Sequence, residues 1–571
     1  MRKKNRALTL FLLPGALGVA GFFLLPFLLA LRRSLADGGL LNYAATLQNP
    51  MFRLGVQNFL LFAAIAMPAA MAVSLGLALL LRRMGKGFGP LLFCLLLPFV
   101  IPSGSTAFFW NSVFGLNGVI NRLLYQNGLE IVQWDSTGCG ILIPVVIYLW
   151  RFCGFFALAF WAGLRQIPAE YYELARLEGA GPRVLFCRVT LVYLAPTLML
   201  VLLLAFAAAF RISRELFMLF GSYPSRPLYF LQHFLGNRLE SMDLPVLSSA
   251  AVLVAAGVIL AVLPLWLAGR RTVDSFQKRG EWNATPGGRG TGRGEAAAAL
   301  LLALLFLLPV LFTFCNSLMP AAEVLGRYSP RLLEQNAGSL CRGGLHFVEP
   351  TLLPGRVTLE QYAGFLLKPA YLRMFWNSVA MLLPILLLHL AVSAPAAYAF
   401  LRAETGWARW GLGIWLLLTL IPPQVMLSPQ YILFRGLGLV GGCLPILLPA
   451  VFAPMGTCII RLQLQGFPRE CIEAAQLDGA GELRIFTRIV LPEIKGSVAV
   501  LIIYAFAEYW NMVDQAVVFL RDENRLPLSV FLSDMLHTDL GVLSAGSVVY
   551  LLPALLVFAA CLLWLRQSIL E

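Results

Sequence analysis

The chain has 571 residues, of which 59% are hydrophobic and only 13% charged. With a mean hydropathy of +0.79, that charge content is about half of what a water-soluble domain carries, which excludes a soluble enzyme and points to a polytopic membrane protein. The net charge of +14 then reads as lysine and arginine retained on one side of a membrane rather than as a nucleic-acid surface.

The first residues are basic (RKKNR, 2–6) and the apolar run that follows, 7–31, exceeds the roughly 7–15 residues of a signal-peptide core. It is an uncleaved first span whose N-terminus lies inside. Further spans are expected at 55–81, 90–114, 139–163, 190–212 and 246–268, each near the ~20 residues that a bilayer requires. Between the fourth and fifth stands a polar insertion, PAEYYELARLEGAGPRVLFCRVTLV, from Pro168 to Val192. Residues 269–294 are basic, glycine-rich and aperiodic, and read as a linker. Their Asn283-Ala-Thr285 sequon is discounted, because six spans return the chain to the inside. Six more spans follow at 295–319, 374–401, 411–432, 442–460, 494–516 and 541–565, with a long outer loop at 320–371. The prolines Pro422-Pro423 break the span that holds them. Lysine and arginine are densest in the segments that this count places inside, which puts both termini there.

The second half repeats the insertion as PRECIEAAQLDGAGELRIFTRIVLP, Pro468 to Pro492. The two copies align without a gap at an offset of 300. Pro168/Pro468, Glu170/Glu470, Glu173/Glu473, Ala175/Ala475, Gly179/Gly479, Gly181/Gly481, Phe186/Phe486 and Arg188/Arg488 are identical pairs. A tandem duplication of two membrane modules follows. In each copy acids in the first turn suit the positive end of a helix dipole. Gly-Ala-Gly ends that helix with a positive-φ cap, and a basic amphipathic helix comes after it. The product is a helix–glycine–helix hook outside the bilayer.

Glu473-Ala474-Ala475, three residues, Gly479, nine residues and Ile489-Val490-Leu491-Pro492 form a pattern that resembles the EAA motif of the permease subunits of bacterial binding-protein-dependent ABC importers. The first copy departs from it at Leu174 and Val192. The resemblance extends to LLPFVIPSG (96–104), IPPQVMLSPQYILFRGLGL (421–439), AEYWNMVDQAVVFL (507–520) and the lead-ins to Asn58 and Asn377. The halves are similar to the two partners of a maltose-type pair, here fused in one chain. That likeness implies that an ATPase docks at Glu173, Ala175, Gly179 and Arg188 and at Glu473, Ala474, Ala475, Gly479 and Arg488. It also implies two ABC ATPase subunits, an extracytoplasmic solute-binding protein and a carbohydrate-like substrate.

Sites for other chemistry are lacking. Gly85-Lys86-Gly87 is no Walker A, and Gly436, Gly438 and Gly441 follow no strand. ATP and magnesium therefore belong to partner subunits, and the chain itself is expected to hold no cofactor. The ten cysteines show no CxxC spacing, and His233, His346, His389 and His537 are scattered, so no metal or catalytic site is expected. Ionisable groups inside spans are functional candidates by default. Tyr509, Trp510, Asn511 and Asp514, with Arg211, form the candidate substrate path: aromatic faces and polar acceptors are what sugar rings and hydroxyls require. Glu508 and Asp514 have an alternative role, pairing with Arg151, Arg211 or His389 between helices.

The sequence thus predicts an all-α protein of about twelve transmembrane helices in two homologous six-helix halves, 1–268 and 295–571, joined by the 269–294 linker. It is expected in a prokaryotic cytoplasmic membrane, among lipid and without nucleic acid. A twelve-helix secondary carrier is the alternative, though it leaves the duplicated hooks unexplained. A membrane scaffold or polytopic enzyme is a third class, and no catalytic cluster supports it.

Overall fold

The computed structural model describes residues 2–277, 292–328, 347–348 and 351–570, apart from 37, 85–86, 166, 404–405, 465–466 and 536–538. Among them, nine helices are long and apolar enough to cross a membrane. These are Ala7–Ser34, Pro50–Arg83, Gly138–Arg165, Ala195–Phe220 and Leu244–Leu265 in the first half, and Arg293–Ser317, Pro369–Arg402, Leu444–Gln463 and Leu540–Cys561 in the second. A helix bonds its own backbone groups internally, which a hydrocarbon surrounding demands.

The other three apolar segments are bent pairs: Phe88–Val100 with Ser103–Gln126 at 93°, Trp410–Leu420 with Pro423–Gly436 at 100°, and Glu482–Glu493 with Lys495–Trp510 at 74°. Counted as single spans they complete twelve. The span expected at 90–114 is therefore broken, as Pro422-Pro423 breaks 411–432, whereas the third bend falls at the first residue of the expected 494–516 and joins the hook's second helix to it. At the first, Pro102 forces Ile101 out of the helical region, to ψ 135°; Ile421-Pro422 repeats the sequence, and Pro423 restarts a helix at its first position. At the third, Ile494 leaves the helix after Pro492, and the second segment stops at Trp510. Asp514 consequently lies outside that span, opening a short helix, Asp514–Phe519.

The last helix of the first half runs on to Gln277, and the next begins at Arg293. The expected linker thus starts as helix; its residues 278–291, Asn283 included, lie outside the described residues. So do 329–346 and 349–350 of the outer loop, with His346, and His537. Short helices Ala321–Tyr328 and Glu360–Leu366 flank that part of the loop.

Duplication is visible in hydrogen bonding as well as in sequence. Asn58 donates to the carbonyls of Arg226 (2.7 Å) and Tyr229 (2.9 Å), and Asn377 donates to those of Asn524 (2.8 Å) and Leu526 (3.1 Å). In each half, one amide ties the start of the second span to the loop after the fifth.

The halves also exchange their first helices. Phe22 stacks on Phe452 at 5.6 Å, and its carbonyl, freed by a wide turn at Ala20–Leu24, accepts from Gln430 at 3.2 Å. Reciprocally, Phe306 and Thr313 of the second half reach into the first. Trp150 donates to the Phe306 carbonyl at 3.1 Å, and Thr313 donates to the Ser105 carbonyl at 2.8 Å. Each half is thus completed by the other.

Candidate functional site: paired hooks and an inter-half ion cluster

The first hook starts with a helix at Ala169–Leu177 and the second with one at Arg469–Leu477, each placed after a proline whose extended backbone begins the turn. Both helices end in the same way. Gly179 and Gly479 adopt φ of 80° and 76°, conformations that glycine takes without strain. The amide of Ala180 bonds to the Ala175 carbonyl and that of Gly179 to Arg176; Ala480 to Ala475 and Gly479 to Gln476 repeat the pattern, all at 2.9–3.0 Å. This is a Schellman cap, and it turns the chain into the second helix, residues 182–193 in one hook and Glu482–Glu493 in the other.

Glu173, Gly179, Arg188, Glu473, Ala474, Gly479 and Arg488 are all exposed, whereas Ala175 and Ala475 are partly covered. Leu177 and Leu477, at matching positions, are 85% and 89% exposed. Leu174 and Val192, the two departures from the pattern, are exposed too.

The hooks differ at their roots. Glu482 is buried and accepts from Tyr398 (2.5 Å), Gln476 (3.0 Å) and Arg402 (3.3 Å). Beside it Phe486 packs on Phe11 and Tyr398, both at 5.5 Å. Pro182 occupies the matching place in the first hook and makes no such bonds possible through its side chain. In that hook Tyr172 accepts from the Arg82 guanidinium of the second span (3.3 Å) and meets the Thr190 hydroxyl of the hook's own second helix (3.1 Å).

A second constellation lies where the fifth spans of the two halves face each other. Arg211 and Arg214, one turn apart, both reach Glu508 of the other half, at 3.3 and 2.7 Å. Behind them Arg151 pairs with Glu215 at 3.0 Å, and Ser103 donates to the same carboxylate. Buried charges survive when paired and hydrogen-bonded, as these are. Asp514 accepts from Gln424 at 3.4 Å. Arg211 and Glu508 also line a crevice of about 890 Å³, its open mouth included, together with Tyr504, Tyr509, Met426 and Gln515.

The expected path residues separate here. Tyr509 and Arg211 line the crevice. Trp510 is enclosed, stacked 4.6 Å from Tyr550 and donating to its carbonyl, and Asn511 turns back to the Ala507 carbonyl at 2.9 Å. His389 is buried against the Val451 carbonyl, away from the acids. Arg214, Tyr504 and Gln515 did not stand out in the sequence. The one signal for Arg214 was its i+3 spacing from Arg211, which sets the two on one helical face. Among the described residues no group of three metal-binding side chains occurs.

Two halves of like topology, crossing first helices and a largely apolar crevice with Arg211 and Glu508 on its wall are the features of a membrane transport pathway. A sequence profile described as "Binding-protein-dependent transport system inner membrane component" matches the chain twice, at residues 54–279 and 368–568. The chain belongs to this family. It is 26% identical over 265 residues to the arabinooligosaccharides transport system permease protein of Bacillus subtilis, covering 45% of this chain and 87% of that one. With the maltodextrin transport system permease protein of the same organism it shares 27% over 212 residues, 36% of this chain and 76% of the other. Among solved structures, a chain of a bacterial alginate ABC transporter, crystallised with a periplasmic protein bound to alginate pentasaccharide, is 19% identical with a TM-score of 0.42. It covers 47% of this chain and 96% of that one.

Proposed function

We propose that this permease carries a sugar or glycosyl solute, delivered by an extracytoplasmic binding protein, and is driven by two ATPase subunits seated on its hooks. The paired hooks carry the reading. Each presents an exposed glutamate, an exposed leucine and an exposed arginine around a glycine cap, at equivalent places in the two halves. The cap fixes the angle between two short helices, so a push on one is passed to the other and into the fifth span. ATP is bound and hydrolysed by the partners, and the chain contributes no catalytic group. Both hooks and both termini lie on the cytoplasmic side, where the lysine and arginine density is higher. The named relatives, permeases for arabinooligosaccharides and maltodextrin, support a glycosyl solute.

The test is purification of the tagged chain from its native membrane in mild detergent. An ATPase subunit co-purifies with the wild type. Gly479→Pro, which locks φ near −65° and removes the amide that bonds to Gln476, reduces its recovery. A chain that comes out alone and supports ion-driven uptake in vesicles rules the reading out.

A further inference from the structure

Two arginines share Glu508, and they do so unequally. Arg214 lies at 2.7 Å with both side chains enclosed, 7% and 6% exposed. Arg211 lies at 3.3 Å, is 19% exposed and lines the crevice. Arg211 also has a neutral partner already in place, the Tyr504 hydroxyl at 2.8 Å, with its guanidinium 5.2 Å from the centre of that ring. Should Arg211 leave, Glu508 keeps a paired arginine, so the carboxylate is not left bare. Arg214 is the fixed contact between the halves; Arg211 is the exchangeable one.

The wall around Arg211 has the chemistry of a sugar site. A guanidinium fork donates, a carboxylate accepts, and the Tyr504 and Tyr509 rings offer flat apolar faces. The Gln515 Oε1 on the same wall has no hydrogen-bond partner among the described residues. The cluster is also formally neutral: Arg151, Arg211 and Arg214 face Glu215, Glu508 and Asp514. An anionic solute would bring an uncompensated charge into this low-dielectric site, whereas a neutral one would not.

Resting on the importer reading, we propose that this crevice is a solute site for a neutral polyhydroxylated glycoside and that Arg211 is its moving arm. Solute hydroxyls take Arg211 from Glu508, which loosens a contact between the halves at the point where the solute sits. Occupancy and the spacing of the halves are thereby linked through one side chain.

The experiment is uptake by proteoliposomes holding the full chain with its co-purified ATPase and binding protein. The probes are labelled arabinotriose, maltotriose and a galacturonate trimer, and thermal unfolding of each variant is recorded alongside. Uptake by the wild type that ignores ATP sinks the importer reading itself. With ATP-driven uptake in hand, the wild type accepts a neutral trisaccharide. Arg211→Lys keeps the wild-type melting temperature, because an ammonium still compensates Glu508. Its KM rises about tenfold, because the fork that holds two hydroxyls is gone. Arg214→Lys leaves KM unchanged. Arg211→Lys and Arg211→Gln transporting with wild-type KM overturns the moving arm and leaves a structural pair. Uptake of the galacturonate trimer alone, or of no probe, overturns the neutral-solute assignment.

Discussion

Arg211 and Arg214 stand at the offset of 300 from Asn511 and Asp514, and Glu508 stands opposite Ala208. The duplicated helices have thus diverged into a basic copy and an acidic copy, and their mutual contact depends on that divergence. Removing one partner of a buried pair costs about 3–5 kcal/mol because the other is left uncompensated, so this pairing specifies which surfaces meet. A different buried group contributes to acid sensitivity. His233, in the short helix Leu231–Glu240 between the fifth and sixth spans, is fully enclosed. Its Nδ1 accepts from the Phe230 amide, and Phe217 lies 4.3 Å from the ring. Burial lowers its pKa from 6.5 to about 4. The folded state therefore binds its proton less readily than the unfolded chain. The stabilisation is complete above pH 6.5 and is lost as pH falls toward 4, about 3 kcal/mol in all. Thermal unfolding in detergent is expected to show a melting temperature that drops across this window. In His233→Gln that slope flattens; an unchanged slope assigns the acid sensitivity to other groups.

The hooks were legible at the level of elements because their signals are local: prolines, acids and glycines act within a few residues of each other, and a gapless repeat marks the two copies. Even the glycine cap followed from Gly-Ala-Gly. Their unequal roots were not legible, since Glu482 is held by Tyr398 and Arg402, some eighty residues away. Nothing in the hook's own sequence distinguishes a buried glutamate from the exposed Glu473. This difference carries a mechanical consequence. Both hooks are bonded to the second span of their half: the second through a buried carboxylate that accepts from Tyr398 and Arg402, with Phe486 packed on Phe11, and the first through the Arg82–Tyr172 hydrogen bond. Force applied to the second hook is transmitted with less slack. Glu473→Lys is therefore expected to lower solute uptake several-fold more than Glu173→Lys, at equal expression and equal ATPase recovery. Equal losses from the two variants end the idea that the hooks couple unequally. The breaks in the spans divide in the same way. Pro422-Pro423 announced one, while Ile101-Pro102 was hidden in an apolar run whose hydropathy is that of an unbroken helix.

At the scale of the whole molecule, the exchange of first helices could not be read from sequence. A helix that is apolar on all sides carries no face to say which neighbour it packs against, so Ala7–Ser34 and Arg293–Ser317 looked like any other spans. In the structure each is a bridge. Gly18 meets Phe452 so closely that an added Cβ would lie 2.0 Å from the ring, and Trp150 and Ser105 hold the other helix through Phe306 and Thr313. The ion cluster adds a third tie between the halves. With these contacts in place, the covalent connection is not what holds the halves together. A protease site introduced within residues 278–291 and cut in detergent is expected to leave 1–277 and 292–571 eluting as one complex, with an unchanged melting temperature. Gly18→Leu, which drives a side chain into Phe452, makes the cut halves separate while the uncut chain still elutes as one species. Separation of the wild-type halves after the cut shows instead that the connection does the holding, and that the exchanged helices and the Glu508 cluster are too weak to replace it.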